Sequence, residues 1–160
     1  MKAERKSTQT VRREGPVAAR PRTGSDPKLP AHASCPACGA TYSEGRWTWS
    51  KAPKGAPEHE CPACRRIRQR DAGGIVTLAG AFALAHRDEV IRIVKAREAL
   101  QKANHPLERI IAIEPSGEEL IVTTTEPHLA NAIVHALGEA FKGECTLGRD
   151  EHPLRAAWRR

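Results

Sequence analysis

Hydrophobic positions change character along this chain at Gly73-Gly74. Before that pair the apolar residues are scattered; after it, periodic runs appear. Ile75-Val76-Thr77-Leu78, closed by Gly80, is a short β-prone run. Asp88 can cap a helix over residues 88–103, with Val90, Ile91 and Val94 on one face and Leu100 further along. Asn104 and Pro106 end it. Ile110-Ile111-Ala112-Ile113 and Leu120-Ile121-Val122-Thr123 flank the turn residues Pro115-Ser116-Gly117, which predicts a hairpin over 108–114 and 119–125. Thr125 suits an N-cap and Pro127 a first helical turn. Leu129, Ile133, Leu137 and Phe141 then recur at four-residue steps, a helix with one apolar stripe that Gly143 stops. A closing strand falls at 144–148 or at 154–158. Strand, helix, strand, strand, helix, strand is the split βαβ, or ferredoxin-like, order. The expected fold class is α+β, with this unit over residues 73–160.

Residues 1–30 read as a disordered basic tail. They are rich in Lys, Arg, Ser, Thr, Pro and Gly, and offer too little apolar surface to offset the entropy of ordering. The tail either solubilises the chain or condenses onto nucleic acid. Charge sharpens that choice. The chain of 160 residues carries +7, with +5 in residues 1–30, +5 in residues 46–70 and −2 in residues 71–160. A polyanion is drawn to the N-terminal half.

Residues 31–70 form the cysteine module. Cys35-Pro36-Ala37-Cys38 and Cys61-Pro62-Ala63-Cys64 repeat the same four letters, separated by 22 residues. Each Cys-x-x-Cys turn can point two thiolates at one position, and two turns complete a tetrahedral site. Soft thiolate ligands suit one structural Zn2+, which supplies the core that so short a segment lacks. Gly39 lets the chain turn after the first pair. A thioredoxin-like redox site needs only one pair, which leaves the second unexplained. His59, two residues before Cys61, is expected as an exposed loop residue rather than a ligand. The fifth cysteine, Cys145, is expected to be a small buried hydrophobe in a strand.

The segment between the pairs holds Tyr42, Trp47 and Trp49. Arg46-Trp47-Thr48-Trp49-Ser50-Lys51 alternates, which puts both tryptophans on one face of a strand. They either cover the metal site as a small core or present a ring for stacking on a base, with Arg46, Lys51 and Lys54 meeting phosphates. After the second pair, Arg65, Arg66, Arg68 and Arg70 either form a solvated basic helix start or a cluster for bidentate phosphate contact.

No catalytic constellation emerges. Four thiolates leave no open coordination position, there is no glycine-rich phosphate loop, and His128 and His135 lack neighbouring ligands. The chain is expected to be non-enzymatic, without a small-molecule substrate. With 39% hydrophobic and 4% aromatic residues it can build one modest core. It has no apolar run near the roughly 18 residues of a membrane span. Paired cysteines without a secretory signal favour a reducing cytoplasm.

Several stretches carry a resemblance: Cys35-Pro36-Ala37-Cys38-Gly39-Ala40, Gly45-Arg46-Trp47, Cys61-Pro62-Ala63-Cys64-Arg65-Arg66-Ile67, His105-Pro106-Leu107-Glu108-Arg109-Ile110 and Thr124-Thr125-Glu126-Pro127-His128-Leu129-Ala130. In these the chain resembles a family of uncharacterised bacterial zinc-ribbon proteins of about this length. More distantly it resembles the N-terminal region of the archaeal and eukaryotic adaptor that loads onto the large ribosomal subunit for export. The adaptor has more cysteine pairs and further β-barrel domains. The likeness implies RNA, with the ribosome as candidate partner, in assembly or translation. Two other readings stay open. Cys35 to Tyr42 resembles the first half of a rubredoxin iron site, although Arg65 stands where that family has Gly. The ribbon could also serve a protein-interaction or transcription adaptor.

Overall fold

The computed structural model describes residues 28–160. Of the expected basic tail, residues 1–27 lie outside the described residues. The chain forms a mixed α+β architecture with a three-stranded and a five-stranded sheet.

The small sheet is β1 (His32–Ser34), β2 (Thr41–Ser43) and β3 (Arg46–Thr48), antiparallel throughout. Helix α1 (Pro62–Gln69) follows, begun by Cys61 as N-cap and Pro62 in its first turn. The core of this module is minimal: Cys35, Ala40, Trp47, Cys61 and Ala63, with Leu29, Tyr42 and Leu107 packed against it. So few apolar residues cannot stabilise a fold unaided, which is the circumstance in which a metal cross-link substitutes for a core.

The larger sheet has the order β5-β6-β4-β8-β7. Its strands are β4 (Gly74–Ala79), β5 (Ile110–Ser116), β6 (Glu119–Thr124), β7 (Glu144–Leu147) and β8 (Leu154–Arg159). Helix α3 (Arg87–Asn104) and helix α4 (Pro127–Phe141) pack on one face. Val76, Leu78, Leu120, Val122, Ala156 and Trp158 of the sheet meet Val90, Val94, Leu129, Ile133 and Leu137 of the helices. The alternation in β4 and β6 sends Ile75, Thr77, Ile121 and Thr123 to the other face, where they are half-buried.

Several expectations need correction. The single closing strand is a hairpin: β8 lies parallel to β4, and β7 pairs outside it. Both segments considered for that strand are therefore strands. A short helix, α2 (Ala81–Ala85), precedes α3 and was not expected. Pro115 lies within β5, tolerated because β5 is an edge strand, and the turn is Gly117-Glu118. Thr125 does not cap α4; Glu126 holds the N-cap position without a side-chain cap bond. Gly73-Gly74 is not a loose break. Both residues are buried, and a Cβ on Gly73 would press into the Thr125 carbonyl and stand 2.8 Å from Arg66 Nη1. Cys145 is exposed rather than buried, its thiol facing the Val134 carbonyl at 3.6 Å.

Candidate metal centre and its surroundings

The sulfurs of Cys35, Cys38, Cys61 and Cys64 all lie within 4.8 Å of one another. Those of Cys38 and Cys61 stand 3.7 Å apart. A disulfide requires about 2.05 Å, and all five described cysteines are free. Four thiolates held about 2.3 Å from one tetrahedral ion would sit about 3.8 Å apart, so the donor set and spacing fit a metal.

Local structure explains the convergence. In the first pair, Gly39 N–H donates to the Cys35 carbonyl at 2.9 Å and Cys35 N–H to Ala40 O at 2.8 Å. This tight turn needs Gly39 at φ +79°, where a glycine has no Cβ penalty. The second pair is built differently, as the start of a helix. Cys61 occupies the N-cap, and its sulfur accepts from Cys64 N–H at 3.4 Å. Cys35 sulfur accepts from Cys61 N–H at 3.3 Å, which joins the two turns. Negative sulfur at a helix N-terminus is favoured by the unpaired N–H groups there.

Electrostatics sets Cys35 apart from Cys61 and Cys64. Burial opposes ionisation of Cys35, but the N–H groups of Cys61, Cys38 and Ala37 outweigh it and lower the thiol to about 7. Burial pushes the Cys61 thiol up, against the opposing Cys64 N–H. Burial also raises Cys64, against the pull of Arg109.

Arg109 was not anticipated as a site residue. It is 8% exposed, lies just before β5, and its Nη2 donates to Cys61 Sγ and Cys64 Sγ, each at 3.2 Å. Burial disfavours its charge, but the Cys64 hydrogen bond and the other sulfurs outweigh that and raise its pKa. The backbone of Arg109 is clamped by Thr125: Arg109 N–H donates to Thr125 Oγ1 at 2.9 Å, and Thr125 N–H to Arg109 O at 2.8 Å. Thr125 Oγ1 also reaches Leu107 O at 2.5 Å. A cation from the larger domain thus sits against the sulfurs of the smaller one. The weak signal for it in the sequence is a lone arginine abutting the apolar run Ile110-Ile111-Ala112-Ile113.

No family model, curated protein or solved structure matches this chain.

The nine residues expected at a nucleic-acid surface fall into two groups. Trp47 is 9% exposed and belongs to the small core beside the four cysteines, its ring 5.6 Å from Tyr42 and 6.5 Å from His59. His59 is accordingly half-buried rather than an exposed loop residue. Trp49 lies past the end of β3, is 39% exposed, and its indole N–H donates to Lys102 O at 2.6 Å, on α3. The two rings therefore have different roles. On α1, Arg66 pairs with Glu126 at 3.5 Å and donates to the Thr125 carbonyl. Arg68 grips Glu60 through two bonds of 2.9 and 3.1 Å. Arg70, the C-cap of that helix, meets Glu114 of β5 at 2.5 Å. Arg65 is half-buried in the same helix. Arg46, Lys51 and Lys54 are exposed and make no ion pair among the described residues. Burial lifts Glu126 above the usual carboxylate range, against the attraction of Arg66. No helix among the described residues is long and apolar enough to cross a membrane.

Proposed function

We propose that this chain is a non-enzymatic, structural-zinc protein that binds RNA, with ribosome assembly or translation as its setting. Zn2+ would be held by Cys35, Cys38, Cys61 and Cys64, and when bound it supplies a cross-link in place of an apolar core. The convergence of four sulfurs in the most basic stretch of the described residues carries the reading. A metal-ordered ribbon that fixes positive charge in space attracts a polyanion and lowers the entropy lost on contact. Zinc is preferred to iron because Arg65 follows the second pair and Arg109 contacts its sulfurs, unlike the rubredoxin pattern.

The larger domain reads as a ferredoxin-like unit with one strand added. The elements β4, α3, β5, β6 and α4 follow that order, and the C-terminal hairpin inserts β8 beside β4. Fold alone does not give function, and RNA is argued from charge and the ribbon.

Elemental analysis of the native protein separates zinc from iron. RNA affinity measured across a salt series then tests the partner, since phosphate contacts release counterions and weaken steeply with salt. Cosedimentation with ribosomal subunits tests the setting. A metal-free native protein, or an affinity that stays flat with salt, would sink the proposal.

A further inference from the structure

The pairing of the α1 arginines leaves one part of the ribbon with uncommitted charge. An open groove of about 430 Å3 runs across the small sheet, lined by His32, Thr41, Ser43, Arg46, Thr48 and Lys51 among others. We infer that this groove, rather than the arginine helix α1, binds the phosphodiester backbone of single-stranded RNA. The inference rests on the RNA reading above and locates its contact.

Two observations support it. First, most lining residues carry a hydroxyl or a cationic group (Thr41, Ser43, Thr48, Ser50, Arg46 and Lys51), over a surface that is also partly apolar, a mixture that suits a phosphate and a ribose. Arg46 and Lys51 make no ion pair among the described residues, whereas Arg66, Arg68 and Arg70 each hold a carboxylate. A phosphate approaching α1 would meet Glu126, Glu60 and Glu114 beside their partners. Glu44 is the one carboxylate lining the groove, and the two cations outnumber it. Second, Thr41 is 2% exposed and its hydroxyl has no hydrogen-bond partner among the described residues. An unpaired buried hydroxyl costs about 1–3 kcal/mol, and a ligand oxygen in the groove would relieve that cost.

Two charge-matched double variants of the full, zinc-loaded chain test the placement. Arg46→Gln with Lys51→Gln removes two groove cations; Arg68→Gln with Arg70→Gln removes two from α1 and its C-cap. Binding of a labelled single-stranded RNA of mixed sequence is followed by fluorescence anisotropy over a salt series. Bound metal and tryptophan fluorescence confirm the fold of each variant. The groove variant should bind about tenfold more weakly, with a salt slope shallower by about 1.4, two phosphate contacts on a single strand. The α1 variant should stay within about twofold of the parent. If the α1 variant loses as much as the groove variant, or more, the groove assignment is overturned and RNA binding stands. If the parent protein fails to bind RNA even at about 50 mM salt, where phosphate contacts are strong, the RNA reading falls and the groove assignment with it.

Discussion

Replacing Arg109 with Met keeps much of its volume and removes a cation that contacts the sulfurs of both Cys61 and Cys64. At 3.2 Å and an effective dielectric of about 20, a pair of unit charges interacts by about 5 kcal/mol. A zinc ion with four thiolates carries a net charge of −2, or about half a charge per sulfur. Two such contacts then give a gross attraction of about 5 kcal/mol. Desolvation of the buried guanidinium cancels several kcal/mol of this. Truncation, however, leaves the centre buried and uncompensated, and removing one partner of a buried ion pair costs about 3–5 kcal/mol. That is a large part of a typical folding free energy of 5–15 kcal/mol.

Part of the cost should appear only with metal bound. Groups that hydrogen-bond to metal ligands typically change metal affinity about 10–100-fold, which is about 1.4–2.8 kcal/mol. In the chelated protein the sulfurs are no longer held together against Arg109, so its removal should cost less there. Zinc affinity is measured by competition with a chromophoric chelator, and stability by urea denaturation with and without zinc. Arg109→Met should lower zinc affinity about 10–100-fold and destabilise the loaded protein more than the chelated one. Arg109→Lys should recover part of the affinity, since a point charge replaces the fork. Zinc affinity within twofold of the parent and an unchanged denaturation midpoint for Arg109→Met would refute the reasoning.

The clamp on Arg109 can be probed separately. Thr125→Val leaves the Arg109 N–H without its acceptor and should cost about 1–3 kcal/mol in urea denaturation; a loss below about 0.5 kcal/mol, the range of neutral surface changes, would argue against it. Gly73→Ala places a Cβ against the Thr125 carbonyl and beside Arg66, and should cost about 1–3 kcal/mol by overpacking; an unchanged midpoint would mean the backbones can separate. Chelation should disorder the ribbon but spare the larger core, because Trp47 lies in one buried cluster and Trp158 in the other. Fluorescence of single-tryptophan variants reads this directly, and loss of Trp158 burial on chelation would show that the two cores melt together.

What could be read from the sequence was what is encoded locally. The four cysteines announce themselves by spacing, and α4 by the four-residue stripe from Leu129 to Phe141. The β5–β6 hairpin follows from two β-prone runs about a turn. Long-range relations were not legible. Arg109 finds its sulfurs across 48 and 45 residues of chain, and its only local mark is its place beside an apolar run. Thr125 has the composition of a cap, but tertiary structure draws its hydroxyl to Leu107 and Arg109. The insertion of β8 beside β4 is likewise a choice among edge pairings that strand propensity does not resolve. The arginines of α1 were visible as charge, yet their partners Glu114 and Glu126 lie far along the chain.

Magnitudes then decide what joins the two modules. The Arg70–Glu114 pair has side chains 64% and 55% exposed, and such pairs contribute about 0–1 kcal/mol. Arg68–Glu60 connects two residues of the ribbon itself and adds nothing across the boundary. Arg66 is better shielded, at 27% against 30% for Glu126, and also reaches the Thr125 carbonyl. The Trp49 bond to Lys102 lies at an exposed position, where a net hydrogen bond is worth about 1 kcal/mol. Arg109 exceeds each of these because it is buried and its anion is formed by the metal centre. The strongest tie between ribbon and sheet is thus one that exists in full only when the thiolates are ionised and held together. Metal occupancy should therefore control how firmly the basic ribbon is held against the larger domain as well as whether the ribbon folds.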